Sequence, residues 1–339
     1  MMHVVRSTRR GGSSERRGAP ETGTPLSHPA RTGPPRASPG RGVIARAASR
    51  LTAEERLAFL FLCPALLLMA VFIFYPVGTT IVTAFGATDK LGRVSGFVGW
   101  GNFRALGADP AFWQIFWRTF LWTALGVTVK TSAGLAMALL LNLPFRDRKV
   151  ARMLTVIPWA IPYPISAIVW QWTYNSQFGL LNQFLKSTGL WPHPPAWLAE
   201  PRTAFAANMA VDIWIGLPFF ALVFLAGLQA ISPEYYEAAA IDGAGIGARF
   251  VSVTLPFLRP VIVMGSLLSV IWTFNDFSVP YIVTKGGPMN TTDILVTHMY
   301  KTAFQFLDFG PASAIAVITF VTLLVFSLLY ARLYFREVA

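Results

Sequence analysis

Six apolar segments, each long enough to cross a lipid bilayer, constrain the fold of this chain more than any other feature. A transmembrane helix needs about 20 mostly apolar residues. The candidate segments lie at about residues 57–79, 117–141, 153–173, 204–226, 261–283 and 311–334. Because backbone groups in a bilayer must be hydrogen-bonded within the protein, these segments predict an all-α, polytopic membrane protein with six transmembrane helices.

The third segment differs from the others because it contains Pro158, Pro162 and Pro164. Proline removes a backbone donor and bends a helix, so this span is predicted to be bent or partly unwound. Backbone groups freed at membrane depth must face protein or water rather than lipid. We therefore expect the third span to lie inside the helix bundle.

Residues 1–50 form a basic tail that is rich in Arg, Gly, Pro and Ser. Its lack of apolar periodicity predicts disorder. Residues 51–112 are predicted to hold a juxtamembrane helix, which begins near residue 43, then the first transmembrane helix and an external loop; residues 113–335 are predicted to form the transmembrane core. Thr52 and Glu55 have the spacing of a capping box just before the first span.

Basic residues predict the orientation of the chain in the membrane. The net charge is +12, but most of the excess lies in the tail, which argues against a nucleic-acid partner. Arg146, Arg148, Lys149 and Arg152 cluster in the connection between the second and third spans. Since cytoplasmic loops carry an excess of Lys and Arg, this connection and both termini are predicted to be cytoplasmic.

The sequence lacks the motifs of an enzyme. No phosphate-binding Gly-x-x-x-x-Gly-Lys-Ser/Thr motif occurs, and the four histidines are scattered. Cys63 is the only cysteine, lies in an apolar segment, and is expected to be a buried, inert thiol. We expect no catalytic residues, no metal site and no cofactor bound by this chain.

Three ionisable residues, Lys130, Asp212 and Asp276, lie within the predicted spans. Charged groups at membrane depth are costly, so they mark either a function or a pairing partner. Lys130 could pair with either aspartate to hold the bundle together, or these groups could act in transport. For Asp276 the spacing of its neighbours favours a functional role.

Ser269, Thr273 and Asp276 are spaced to share one face of the fifth span, with Trp272 and Asn275 beside them. Hydroxyl, amide and carboxylate groups next to a large aromatic ring are typical of a sugar site. In the fourth span, a glycine and a proline lie between aromatic residues in the sequence from Trp214 to Phe219. This composition predicts a local kink where a ligand could approach the backbone.

Residues 232–256 mix charge, alanine and glycine between two apolar spans. Ser232 followed by Pro233 predicts a capped helix start, and Gly243 predicts a helix end with positive φ. Leu255-Pro256 is expected to close a second short segment. A short helical knob with small side chains favours a docking surface for a partner protein over a catalytic site.

The spacing of this loop resembles the EAA loop of ABC-importer permeases. The matching positions are Glu237-Ala238-Ala239, then Gly243, Val253 and Leu255-Pro256, with Val253 where the family usually has Ile. The resemblance implies a type I ABC importer permease fold and a cytoplasmic loop that docks into a cleft of an ATPase subunit. The implied ATPase-coupling residues are Glu237, Ala238, Ala239, Asp242, Gly243, Leu255 and Pro256.

Further segments resemble the carbohydrate class of these permeases, of the maltose-transporter type. They lie at residues 97–104, 139–142, 157–159, 178–182 and 284–288. In that class the fourth and fifth spans bind sugar midway across the membrane. With the polar stripe, this implies substrate-binding residues Ile215, Gly216, Phe219, Ser269, Trp272, Thr273, Asn275 and Asp276. Thr273 and Asp276 stand where the maltose type carries amides, which argues against maltose itself but not against a sugar.

The resemblance implies a permease subunit of a binding-protein-dependent importer in the bacterial inner membrane, taking up a di- or oligosaccharide. Implied partners are a second permease, two ATPase subunits that use ATP and Mg, an extracytoplasmic sugar-binding protein, the sugar and membrane lipid. An ABC permease for glycerol phosphate or a polyamine is one alternative. An ion-coupled secondary transporter is another, but it would need paired broken helices in repeated halves.

Overall fold

The computed structural model describes residues 53–338, and the predicted tail, the Thr52–Glu55 capping box and most of the juxtamembrane helix lie outside them. The chain divides into two compact units, residues 1–62 and 63–339, and packing is described within the second. The helices are α1 (Ala53–Met69), α2 (Tyr75–Ala84), α3 (Gly101–Ala108), α4 (Pro110–Asn142), α5 (Arg148–Ala160), α6 (Tyr163–Thr173), α7 (Leu180–Ser187), α8 (Pro201–Gln229), α9 (Pro233–Ile241), α10 (Ile246–Arg249), α11 (Leu255–Phe274), α12 (Ser278–Thr284), α13 (Leu295–Tyr300) and α14 (Phe309–Val338).

Each of the six predicted segments overlaps a candidate membrane span in the described residues. Five are single helices and the sixth is a bent pair, α5 with α6. The single helices are Phe59–Ala84, Pro110–Asn142, Pro201–Gln229, Ile246–Thr284 and Phe309–Arg332. The all-α, multi-span fold is confirmed, and its one small sheet is an antiparallel hairpin of β1 (Gly86–Thr88) and β2 (Val94–Phe97).

The third span is broken as its prolines predict, but its place in the fold is not the expected one. The pair bends by 93° between Ala160 and Tyr163, where Pro162 precedes the second helix. Within this chain α5 has no buried side chain, and α6 buries only Ser166 and Ala167. The prediction that this span lies inside the bundle is wrong for this chain, because α5 and α6 pack along only one side, against α8 and α12.

Two spans contain a π-helical turn directly before a proline. The turn Ala70–Phe74 leads into Pro76 and the turn Phe250–Thr254 into Pro256. Because proline has no N–H and its ring crowds the preceding turn, a wider turn relieves the helix at that point. The expectation that Leu255-Pro256 closes a separate segment is therefore wrong, since helix α10 continues through the π turn into α11.

Helix α8 is at the centre of the bundle and packs most extensively against α4. Their contact forms an apolar core near the C-terminal ends of both helices, with Ala138 and Phe220 buried, and α11 adds Leu258 to it. The first span shows the opposite behaviour: within Phe59–Ala84 the most apolar window is not buried at all. Cys63 is accordingly exposed, and its predicted burial is wrong because no other helix among the described residues covers it.

Candidate functional site

The connection between α8 and α11 forms the exposed knob that its sequence predicts. Helix α9 ends in a left-handed turn at Gly243, whose φ is +80°. The Gly243 N–H donates to Ala240 O over 3.1 Å, and the Ala244 N–H donates to Ala239 O over 2.9 Å. These two hydrogen bonds form a Schellman motif, which satisfies carbonyl groups that a helix end leaves free.

The start of this helix differs in one detail from the prediction. Ser232 occupies the N-cap position and Pro233 the first turn, but the Ser232 side chain makes no capping hydrogen bond. The helix start is therefore stabilised by Pro233, which has no N–H that would lack an acceptor and whose ring holds φ at a helical value.

The knob is tied to the fifth span at two points. The rings of Tyr235 and Phe257 lie 4.7 Å apart, and the Tyr236 and Thr254 hydroxyls are 3.1 Å apart. Ala239 and Tyr236 pack against the apolar core between α4 and α8. A movement of α9 is therefore transmitted to α11 rather than absorbed by a loose loop.

The predicted coupling residues lie mostly on the outer surface of this knob. Glu237, Ala238, Asp242, Gly243, Leu255 and Pro256 are exposed and Ala239 is half-buried. The structure adds two residues that the sequence reasoning missed: Ile241 and Ile246 are 87% and 85% exposed, on either side of the glycine turn. Their signal was the apolar residue at each edge of the Asp242–Gly245 segment.

At membrane depth, Lys130 pairs with Asp212. The Lys130 Nζ lies 2.8 Å and 3.1 Å from the two Asp212 carboxylate oxygens and donates to Thr273 Oγ1 over 2.7 Å. Both charged side chains are almost fully buried, at 4% and 1% exposure. The open choice between the two aspartates is thus decided in favour of Asp212, and the pair links α4, α8 and α11.

Two glycines make room for this ion pair. A Cβ at Gly216 would lie 2.6 Å from Lys130 Cδ, and a Cβ at Gly126 would lie 3.0 Å from Asp212 Oδ2. Gly216 therefore admits the lysine side chain, a packing role that the sequence did not reveal, and its predicted role in ligand approach stays a prediction. Helix α8 also runs without a break past Pro218.

The predicted substrate residues fall into two groups. Ile215, Ser269 and Thr273 are buried at 1–2% exposure, and Gly216 packs on Lys130. Phe219, Trp272, Asn275 and Asp276 lie around an open side of the bundle, where the Phe219 and Trp272 rings are 5.1 Å apart. These assignments stay predictions, and the structure separates the side chains that could reach a ligand from those that hold the helices together.

The expected single stripe of Ser269, Thr273 and Asp276 is not present. Helix α11 ends at Phe274, so Asp276 lies in the break before α12 and no longer follows helical spacing. Asp276 Oδ1 accepts from the Val279 N–H over 3.3 Å, whereas its Oδ2 is buried without a partner. Asp276 lines a cavity of about 400 Å³ together with Tyr163, Ile271, Trp272, Asn275, Phe277 and Ser278.

The segment after α12 is held by a second ion pair that sequence reasoning missed. Lys301 Nζ lies 2.6 Å from Asp293 Oδ2, and Arg118 donates to the Asn290 and Asp293 carbonyls over 2.7 Å and 3.1 Å. Gly286, with φ of +77°, passes so close that an added Cβ would overlap Asp293. This contact explains the glycine in the Thr284–Pro288 segment.

The part of the chain that holds the knob and most of the spans matches a known family. Residues 130–337 match the model of the binding-protein-dependent transport system inner membrane component. The chain belongs to this family. The match takes in both the ion pair and the knob, so these features lie in the permease core.

Named relatives extend the similarity to nearly the whole chain. The permease is 37% identical to the sulfoquinovosyl glycerol transport system permease protein SmoG of Agrobacterium fabrum, over 83% of this chain and 91% of the relative. It is 37% identical to the trehalose/maltose transport system permease protein MalF of Thermococcus litoralis, over 82% of this chain and 94% of the relative.

Solved structures support the same fold. A chain of a bacterial ABC transporter involved in the import of alginate superposes with a TM-score of 0.74 at 22% identity, covering 84% of this chain and 96% of that one. The protein is thus a multi-pass inner-membrane permease component with the ABC importer permease fold.

Proposed function

We propose that this permease forms half of the translocation pathway of an ATP-driven importer for a di- or oligosaccharide. The related permeases are named for the transport of sulfoquinovosyl glycerol and of trehalose and maltose. The named sugars differ, so the ligand of this chain is inferred from its own side chains.

The observation that carries the proposal is a continuous helix from the docking knob to the cavity. From Ile246 the chain stays helical through the π turn and α11 to Phe274. At 1.5 Å per residue, the distance from Ile246 to Trp272 is about 40 Å, which is enough to reach well across a bilayer. A displacement of the knob therefore moves the residues beside the cavity directly.

The cavity has the chemistry that a sugar requires. Trp272 is 55% exposed and offers a ring face for sugar C–H groups, and it is supported edge-on by Phe219. Asn275 and Asp276 offer an amide and a carboxylate for hydroxyl groups. Ring and polar groups converging on one cavity are typical of small-molecule sites.

The remaining parts of the machine lie outside this chain. We assign it a second permease, which would cover the exposed first and third spans, two ATPase subunits that bind ATP and Mg, and an extracytoplasmic sugar-binding protein. ATP-driven closure of the ATPase subunits would move the knob and switch the spans between inward- and outward-facing states. In this arrangement the knob and both termini are cytoplasmic.

Uptake of labelled solutes into proteoliposomes that hold the full transport complex tests the proposal. We expect uptake of a di- or oligosaccharide that requires both ATP and the binding protein. Putrescine and glycerol phosphate serve as matched non-sugar solutes. Uptake of either of them in preference to every sugar, or sugar uptake driven by an ion gradient without ATP, would refute the proposal.

A further inference from the structure

At membrane depth the described core has more carboxyl groups than lysines. In the described membrane-depth core there is one lysine, Lys130, and both oxygens of Asp212 and the Thr273 hydroxyl surround its ammonium group. Asp276 lies close enough to interact electrostatically with both members of that pair. One carboxyl group is thus left without a cation of its own.

Asp276 is built into the wall of a cavity rather than into the helix packing. Its side chain is only 7% exposed, the Val279 N–H donates to Oδ1, and the Ser278 backbone N–H also interacts with the carboxyl group. Oδ2 has no hydrogen-bond partner among the described residues. A buried carboxyl oxygen without a donor is costly, so a donor supplied by a ligand would be bound favourably.

The other residues of the cavity wall can donate or accept hydrogen bonds, but none is a cation. Tyr163, Asn275 and Ser278 supply hydroxyl and amide groups, and Trp272 supplies a ring. The Tyr163 side chain itself lies beside both Asp212 and Asp276. An acidic ligand would therefore bring a second negative charge towards Asp276 without meeting a positive one.

We propose that Asp276 determines charge selectivity: the cavity admits uncharged and amino sugars and rejects uronates and sulfonated sugars. The inference rests on the proposed sugar-import function and adds the chemical class of its substrate. A sugar hydroxyl or ammonium group donates to Asp276 Oδ2, and Trp272 contacts the C–H face of the same ring.

Equilibrium dialysis with the purified complex of both permeases and the ATPase subunits, without the binding protein, tests this inference. The probes are matched radiolabelled disaccharides of glucose, of glucosamine and of glucuronate. For the natural complex we expect retention of the first two and at least ten-fold weaker retention of the third. Asp276→Asn should lower the glucosamine-to-glucuronate affinity ratio roughly ten-fold, whereas Asp276→Glu should keep the ratio above one.

Asp308→Asn provides a matched control, because Asp308 is an exposed aspartate outside the spans. It should leave the ratio unchanged, and co-purification of the ATPase subunits shows that each variant is assembled. Glucuronate retention equal to that of glucose in the natural complex overturns the inference, as do an unchanged ratio in Asp276→Asn and a lack of retention of all three probes. ATP-dependent sugar uptake, measured in proteoliposomes after the binding protein is added to this complex, would still stand in those cases, so failure of the proposed function is recognised separately.

Discussion

The buried pair of Lys130 and Asp212 allows a sharp test of whether these charges hold the bundle together. Both carboxylate oxygens of Asp212 lie within 3.1 Å of the lysine nitrogen, and both side chains are almost fully buried. Asp212→Leu would leave the lysine charge uncompensated. Removing one partner of a buried pair costs about 3–5 kcal/mol, and we expect a loss in this range in the free energy of unfolding.

The double variant Lys130→Met with Asp212→Leu should recover most of that loss. Replacing both partners of a buried pair by apolar groups is often neutral or stabilising, because the desolvation cost of both charges disappears. The hydrogen bond from the lysine to the Thr273 hydroxyl, 2.7 Å long, gives a smaller free-energy loss for comparison. Thr273→Val should cost about 1.5–3 kcal/mol, the usual range for a hydrogen bond to a charged group.

Unfolding of the purified chain in mixed micelles, titrated with a denaturing detergent, measures these free energies. Sugar uptake by the same variants, assembled in the full complex, reports whether the pair also acts in transport. If the double variant is as unstable as Asp212→Leu, or if Asp212→Leu unfolds like the natural chain, the pair is not the structural link described above. A stable double variant with no uptake would instead assign the pair a role in transport.

Three further predictions concern the knob between α8 and α11 and the segment that follows α12. Gly243→Leu, at φ of +80°, should abolish sugar uptake while the chain stays in the membrane. The control is Gly247→Leu, at ordinary φ with open space around it. Normal uptake by Gly243→Leu would exclude the docking role. Ile241→Asp, at a site that is 87% exposed, should reduce co-purification of the ATPase subunits at least several-fold without lowering the amount of folded permease; equal co-purification would exclude Ile241 from the interface. Gly286→Ala should place a Cβ against Asp293 and lower the amount of folded protein by fluorescence-detected gel filtration, so a normal peak would contradict the close contact.

The spans and the knob could be predicted because they depend on local patterns. Membrane-length apolar segments, the prolines of the third span and the glycine at position 243 each act through neighbouring residues in the chain. The predictions failed where contacts with helices distant in the sequence determine whether a residue is buried. Cys63 was expected to be buried and the third span to lie inside the bundle, but among the described residues Cys63 is exposed and the third span buries only Ser166 and Ala167.

The candidate site shows the same division between local and distant effects. Helical spacing placed Ser269, Thr273 and Asp276 on one face, but the helix ends at Phe274 and Asp276 lies beyond it. Gly216 was recognised as unusual, whereas its role became visible only from the Lys130 side chain packed against it. The exposed Ile241 and Ile246 were missed, since their positions at the edges of the Asp242–Gly245 segment do not by themselves show that they face solvent.

By itself the sequence determined that this chain is a multi-span permease and predicted its docking loop, because membrane length, proline positions and loop spacing are properties of contiguous residues. Which aspartate pairs with Lys130 was decided only by the tertiary structure. Asp212 and Asp276 are equally plausible partners along the chain, and the packing of α4 against α8 brings Asp212 to 2.8 Å from the lysine nitrogen. That choice leaves Asp276 without a cation of its own beside an open cavity, because the Lys130 ammonium group donates to Asp212 and Thr273.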